Sequence, residues 1–182
     1  MMAYVLALGL ASCAGLAAML IWSIAFPDRR LWPPRQITVG NQIGVWGATL
    51  AIFCSAIVLG IADWNGLSIN AAIRWSLGLP MILLSNVAVW SGVFQIGIAA
   101  TSGAADELKT DGLYAWSRNP QYVADIIMLA SWGILSASLW ALPVVAGGIL
   151  VLALAPLAEE PWLEEVYGEK YRRYRTRVRR FI

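Results

Sequence analysis

The sequence has no histidine among its 182 residues and only two cysteines, Cys13 and Cys54, each inside an apolar run. The absence of histidine removes the commonest general base and the commonest metal ligand. The cysteines have no partner motif, and we interpret them as small packing residues. The sequence therefore predicts no metal site.

Charge is also scarce. Charged residues make up 13% of the chain and hydrophobic residues 59%, whereas soluble domains have about 25% and about 45–50%. This composition excludes a soluble domain. It predicts an all-α, multi-pass transmembrane helical bundle that forms one domain over residues 1–182.

A membrane span needs about 20 apolar residues. The sequence predicts five spans, at 3–26, 43–62, 73–100, 122–135 and 139–157. The first has no basic leader, which predicts a retained span rather than a signal peptide. The fourth is short, and the joint after it is only three residues, so the last two spans either cross fully or form a re-entrant hairpin. Residues 1–100 thus hold three spans, and 101–182 hold a polar segment, the hairpin and a tail.

Basic residues gather in the rigid loop 27–35, in the polar segment and in the tail. By the positive-inside rule these parts face the cytoplasm, and the N-terminus lies outside. The short loops suit a bacterial inner membrane.

The tail changes character. Apolar and tyrosine side chains recur there at helical spacing, at positions Leu163, Tyr167, Tyr171, Tyr174 and Val178. The other faces are basic, with Lys170, Arg172, Arg173, Arg175, Arg177, Arg179 and Arg180. This pattern predicts an amphipathic C-terminal helix on an anionic membrane surface, and no nucleic-acid partner.

Polar clusters stand at both ends of the hairpin formed by the last two spans. A hairpin brings its ends together, so the two clusters should form one site. Its predicted members are Arg118, Asn119, Tyr122, Glu159 and Glu160.

Three acids in this region need an explanation. Asp125 lies one helical turn after Tyr122, within the membrane boundary, where an acid is costly unless it is paired or wet. Both a functional role and an ion pair with Arg118 remain open. A helix C-terminus disfavours Glu159 and Glu160, so the tail's arginines or a bound cation must offset their charge. A ligand with an ammonium and a sulfonium would suit them.

The run from Gly112 to Val123, Gly-Leu-Tyr-Ala-Trp-Ser-Arg-Asn-Pro-Gln-Tyr-Val, closely resembles a motif of isoprenylcysteine carboxyl methyltransferases. The later pattern from Glu159-Glu160 through Tyr171 to Val178 resembles the closing motif of the same family. Together the motifs cover roughly residues 95–182. The resemblance implies a membrane enzyme that uses S-adenosylmethionine and a lipophilic methyl acceptor.

Carried over by position, the resemblance implies cofactor contacts at Glu107, Leu108, Lys109, Tyr114, Asn119, Pro120, Gln121, Tyr122 and Glu159. Elementary chemistry agrees with several of these roles. Glu159 can pair with the α-ammonium, and backbone amides at the start of a helix can hold the carboxylate. Tyr114 and Tyr122 offer ring faces to the adenine or the sulfonium. The catalytic candidates are Glu160 and Asp125, as bases for an amine acceptor, together with Arg118.

Two departures bear on the acceptor. Asn119 stands where many isoprenylcysteine enzymes have histidine, and Ala155 stands where they have an arginine for the acceptor's carboxylate. Phosphatidylethanolamine methyltransferases resemble this chain in reading Asn-Pro-x-Tyr and Glu-Glu-Pro. The sequence thus predicts an isoprenylcysteine-methyltransferase-like enzyme, with a phospholipid N-methyltransferase as the alternative.

Two other classes compete. A nicotinamide-dependent membrane reductase has a similar C-terminal hairpin but needs basic residues for phosphate, and only Lys109 and Arg118 are available before the tail. A non-catalytic membrane scaffold would have no reason to keep Tyr114, Arg118, Tyr122 and the acid pair together.

Overall fold

The computed structural model describes residues 1–36, 38–101 and 108–182, and it describes residues 95–101 by their backbone alone. These residues contain helices and no strand, which confirms the predicted all-α class. The helices in chain order are α1 (Met2–Ala25), α2 (Val39–Ala62), α3 (Ala71–Ile73), α4 (Leu79–Thr101), α5 (Pro120–Ser136), α6 (Leu142–Tyr167) and α7 (Glu169–Arg177). A π-helical turn, Arg74–Gly78, joins α3 to α4. Short 3-10 turns occupy Pro27–Arg29 and Gly112–Ala115.

Among the described residues, four helical segments are long and apolar enough to cross a membrane: α1, α2, Ala71–Phe94 and α6. They correspond to the predicted first, second, third and fifth spans. The helix α5 corresponds to the predicted fourth span. Its 17 residues make it about 25 Å long, whereas the hydrocarbon core is about 30 Å thick. The multi-pass bundle is confirmed, while the count of five crossings and the orientation remain predictions.

The core runs along α6, which packs against α1, α2 and α5. Glycines allow this close approach. A Cβ atom on Gly148 would lie 2.9 Å from Leu129 on α5 and 3.0 Å from Ile52 on α2. A Cβ on Gly147 would lie 2.9 Å from the Sγ atom of Cys13 on α1. Small residues at membrane helix interfaces allow such tight packing. Cys13 is buried, as the predicted packing role requires, whereas Cys54 is exposed, so the prediction was wrong for Cys54.

The predicted end of the fifth span was wrong. The helix α6 does not stop before the acid pair; it continues to Tyr167 and contains Pro156 and Pro161. Each proline removes one backbone donor, but membrane helices tolerate this where neighbouring groups satisfy the freed carbonyl. Glu159 and Glu160 therefore lie inside a continuous helix, which fixes the directions of their side chains.

The predicted extent of the tail helix was also wrong. Gly168, with φ of 55°, ends α6, because that backbone conformation favours glycine. The following helix, α7, has nine residues. Its tyrosines, Tyr171 and Tyr174, are 1% and 3% exposed. The tyrosine face thus packs on the protein itself and is not available to a lipid surface.

Candidate active site

The two ends of the helical hairpin meet, as the sequence predicts. The hydroxyl of Tyr122, in the first turn of α5, donates a hydrogen bond to Oε1 of Glu159 over 2.5 Å. Nη2 of Arg118 lies 2.9 Å from Oε1 of Glu160. The two neighbouring acids therefore project to two different polar groups, one around Glu159 and one around Glu160.

Glu159 has a second partner that sequence reasoning missed. The indole Nε1 of Trp32 donates to the same oxygen, Oε1, over 2.7 Å. Trp32 is 8% exposed and lies in the loop between α1 and α2. Arg30 anchors this loop on α6 through an ion pair with Glu165, 2.7 Å long. Both hydrogen bonds that Glu159 accepts from described residues go to Oε1, and none of them goes to Oε2.

Tyr114 belongs to the same group. It is 9% exposed, and its backbone forms part of the 3-10 turn Gly112–Ala115. Burial raises the pKa of Tyr114 above its ordinary range, and the nearby Tyr174 and Glu159 raise it further. Tyr114 therefore stays neutral and presents an uncharged ring near the Glu159 carboxylate.

The first turn of α5 is left without a side-chain cap. Asn119 occupies the capping position, but its amide nitrogen donates instead to the backbone oxygen of Arg180 over 3.0 Å. Pro120 has no N–H. The amides of Gln121 and Tyr122 are thus the first donors of the helix, at its positive end, where anions bind.

Glu160 is the centre of a buried ion-pair cluster. It is 6% exposed and accepts hydrogen bonds from Arg180 over 2.9 Å and 2.7 Å, one to each carboxylate oxygen. Arg118, whose side chain is 7% exposed, pairs with the same carboxylate. The hydrogen bonds to Glu160 raise the pKa of Arg180. Both Glu160 oxygens are therefore engaged by guanidinium groups.

The end of the chain is held over the entrance to α5. The backbone N–H of Arg118 donates to the carbonyl of Arg179 over 2.9 Å. The hydroxyl of Tyr174 donates to the carbonyl of Tyr114 over 2.6 Å. Burial raises the pKa of Tyr171 to about 12, and the negative charge of Glu160 adds to this effect. The tail thus covers one side of the site through the Tyr174 hydroxyl, the Arg179 carbonyl and the Arg180 guanidinium group that binds Glu160.

We expect Glu160→Gln to destabilise the fold. The substitution leaves the buried Arg118 without a full countercharge, and breaking a buried ion pair costs about 3–5 kcal/mol. Thermal unfolding in detergent should show a clear fall in Tm. Glu169→Gln is the matched control, because Glu169 also faces two arginines, Arg172 and Arg173, but is exposed. An equal effect of the two substitutions would contradict the assignment of a buried cluster.

Asp125 lies on the face of α5 that also carries Tyr122, one turn earlier. No hydrogen bond or ion pair joins Asp125 to another residue in the described parts of the chain. The ion pair with Arg118 that the sequence left open does not form, because Arg118 pairs with Glu160. Elsewhere in the first turn of α5, Gln121 packs against α4, because a Cβ atom on Gly92 would contact its side chain. Asp125 is therefore a half-buried acid one turn from Tyr122, and no ion pair with a cation of the described residues is recorded for it.

The remaining predicted contacts precede the 3-10 turn. Leu108 and Lys109 are half-buried residues of the irregular segment that leads into it. Glu107 lies outside the described residues. The roles predicted for these three residues remain predictions.

The geometry defines a class of protein: a multi-pass helical membrane protein with a carboxylate, aromatic rings and a helix start gathered at one end of a hairpin. A family model described as phospholipid methyltransferase matches residues 73–170, more than half of the chain. The chain therefore belongs to the phospholipid methyltransferase family. This matched region contains α4 to α6 and the site residues from Tyr114 to Glu160, but not Trp32 or Arg180.

A curated relative matches more weakly. The chain is 26% identical over 116 residues to the nickel-cobalt-cadmium resistance protein NccN of Alcaligenes xylosoxydans xylosoxydans. The match covers 63% of this chain and 49% of that protein, so the chain spans about half the length of the curated relative it matches. No solved structure matches the chain.

Proposed function

We propose that the protein transfers a methyl group from S-adenosylmethionine to a lipid amine at the cytoplasmic face of the membrane. Its family supports methyl transfer in general. The observation that carries the proposal is the Glu159 carboxylate, held by Tyr122 and Trp32 beside the uncapped start of α5.

The residues present fit an amino-acid-like cofactor. S-adenosylmethionine has an α-ammonium, an α-carboxylate and a sulfonium. Oε2 of Glu159 suits the ammonium, and the amides of Gln121 and Tyr122 suit the carboxylate. The rings of Tyr114 and Tyr122 suit the sulfonium or the adenine. Asn119 and Pro120 set this geometry, since they define where the helix begins.

When bound, the cofactor supplies a methyl group that is already activated by its positive sulfur. The protein's contribution is therefore mainly to hold the two reactants in line. Glu159 fixes one end of the donor. The buried cluster of Arg118, Glu160 and Arg180 positions the entrance to α5 and holds the tail over it. We assign Arg118 and Glu160 as positioning residues on this basis.

The charges favour an amine over a carboxylate acceptor. A carboxylate needs a cation, but position 155 is a buried alanine, and Arg118 and Arg180 both bind Glu160. An amine needs an acceptor for its proton, and no cation in the described parts of the chain forms a recorded ion pair with Asp125. We therefore propose that the Asp125 carboxylate takes the proton. The amine lone pair then forms the bond to the methyl carbon, and the electrons of the breaking C–S bond remain on sulfur.

The test is transfer of a radiolabelled methyl group from S-adenosylmethionine by the detergent-purified protein. Phosphatidylethanolamine and a prenylated cysteine serve as competing acceptors. We expect label in the phospholipid amine. Label only in the prenylated cysteine would overturn the amine assignment and favour the isoprenylcysteine-type reaction. Label in neither acceptor, without binding of S-adenosylhomocysteine, would overturn the methyltransferase proposal.

A further inference from the structure

A groove of about 730 Å³ lies between α1 and α2, outside the region that matches the family model. Its apolar walls combine larger side chains, such as Leu16 and Met19, with small residues, among them Ala11, Gly15, Gly40, Gly44 and Ala48. Both helices are long and apolar enough to cross a membrane. The groove therefore runs along spans that contact lipid, and it can receive an occupant laterally from the bilayer.

One end of the groove is positively charged. Arg30 and Arg35 line it, together with Gln36 and Asn41. Arg35 is exposed, and its Nη2 donates to the backbone carbonyl of Asp28, a neutral acceptor, over 2.6 Å. Arg30 pairs with Glu165, whose side chain is 64% exposed. An apolar groove with guanidinium groups at one end complements a lipid that has acyl chains and an anionic phosphate.

The groove adjoins the site through one residue. Trp32 lines the groove and donates its indole hydrogen bond to Glu159. An occupant that reaches the charged end of the groove therefore contacts Trp32. The indole of Trp32 holds Glu159, which we propose binds the ammonium group of the cofactor.

We propose that this groove binds the methyl acceptor, a glycerophospholipid from the surrounding bilayer. An acyl chain lies against the glycines of α1 and α2, and the phosphate binds Arg35 and Arg30. The amine is then directed past Trp32 toward Glu159 and Asp125. This inference rests on the proposed function, and it assigns acceptor binding to the N-terminal helices.

The chain offers matched variants for a test. A Cβ on Gly15 or Gly44 meets no atom within 4 Å, so Gly15→Leu or Gly44→Leu should fill the groove without a clash. Leucine is also a better helix former than glycine. Gly47→Leu is the control, because Gly47 lies on the same helix, also meets no atom within 4 Å and does not line the groove.

The probe is phosphatidylethanolamine with a photoreactive acyl chain, followed by mapping of the crosslinked peptides. We expect crosslinks on α1 and α2, a loss of about tenfold in Gly44→Leu, and no loss in Gly47→Leu. The KM for the phospholipid should rise in Gly44→Leu, while calorimetric affinity for S-adenosylhomocysteine stays unchanged. Arg35→Gln should also raise this KM, whereas Arg29→Gln, on the same loop but outside the groove, should not.

Several results would overturn the inference. These are wild-type crosslinking in Gly44→Leu, or crosslinks that map away from α1 and α2. The calorimetric titration with S-adenosylhomocysteine distinguishes failure of the groove assignment from failure of the proposed function. Wild-type protein that binds S-adenosylhomocysteine but does not crosslink in the groove refutes only the groove assignment.

Discussion

Glu159→Gln should strongly reduce the affinity for S-adenosylhomocysteine, which has the same α-ammonium group as the methyl donor. The substitution keeps the shape of the side chain and can retain the bonds from Tyr122 and Trp32 to Oε1. It removes the negative charge and replaces Oε2 with an amide donor. A hydrogen bond to a charged group contributes about 1.5–3 kcal/mol, so calorimetry should show a loss of about 10- to 150-fold.

Glu169→Gln is the control for this prediction. Glu169 is the first residue of α7, and its side chain is 59% exposed. The same loss of charge there should leave the affinity unchanged, since an exposed ion pair contributes about 0–1 kcal/mol. Equal affinities of Glu159→Gln and wild type would contradict the assignment of Glu159 to the cofactor.

Asp125→Asn should lower kcat for methyl transfer to phosphatidylethanolamine by about 10²- to 10⁴-fold, the usual contribution of a general base. Asparagine has nearly the same size but cannot accept the proton that the acceptor's ammonium group must lose before the amine attacks. The defect should shrink as the pH approaches about 10, where a primary amine loses its proton to solvent. Affinity for S-adenosylhomocysteine should not change, which separates loss of the base from loss of the cofactor site.

Asp111→Asn is the companion variant, because Asp111 is an exposed acid immediately before the 3-10 turn. We expect wild-type kcat from it. If Asp125→Asn retained wild-type kcat at neutral pH, Asp125 would not be the base. The amine of phosphatidylethanolamine would then lose its proton to another group or to solvent.

The meeting of the two polar clusters was predictable from sequence, because it depends only on hairpin geometry. Tyr122 and Glu159 flank two apolar helices joined by a short turn, so their contact follows from chain topology. The start of α5 was similarly predictable, since proline is favoured in the first turn of a helix and Pro120 lies there. The chemistry of the residues alone indicated only a ligand with an ammonium and a sulfonium. The resemblance of the motifs to a known family then indicated S-adenosylmethionine as the cofactor.

The long-range partners were not predictable. Trp32 reaches Glu159 across 127 positions, and the only local signal was a rigid loop of Trp and Pro residues. Arg180 was one of many tail arginines with no feature that singled it out for Glu160. The predicted end of the fifth span was wrong for a different reason. The acids and prolines near position 159 indicate a helix end, but buried partners stabilise these residues within α6. Such partners come from tertiary packing, which periodicity does not contain.

The most direct test of the account is calorimetric titration of the detergent-purified wild-type protein with S-adenosylhomocysteine, with a nicotinamide dinucleotide as the parallel ligand. We expect saturable binding of S-adenosylhomocysteine at one site per chain and no binding of the dinucleotide. Absence of S-adenosylhomocysteine binding, or binding of the dinucleotide in its place, would contradict the claim that the Glu159 site holds a methyl donor.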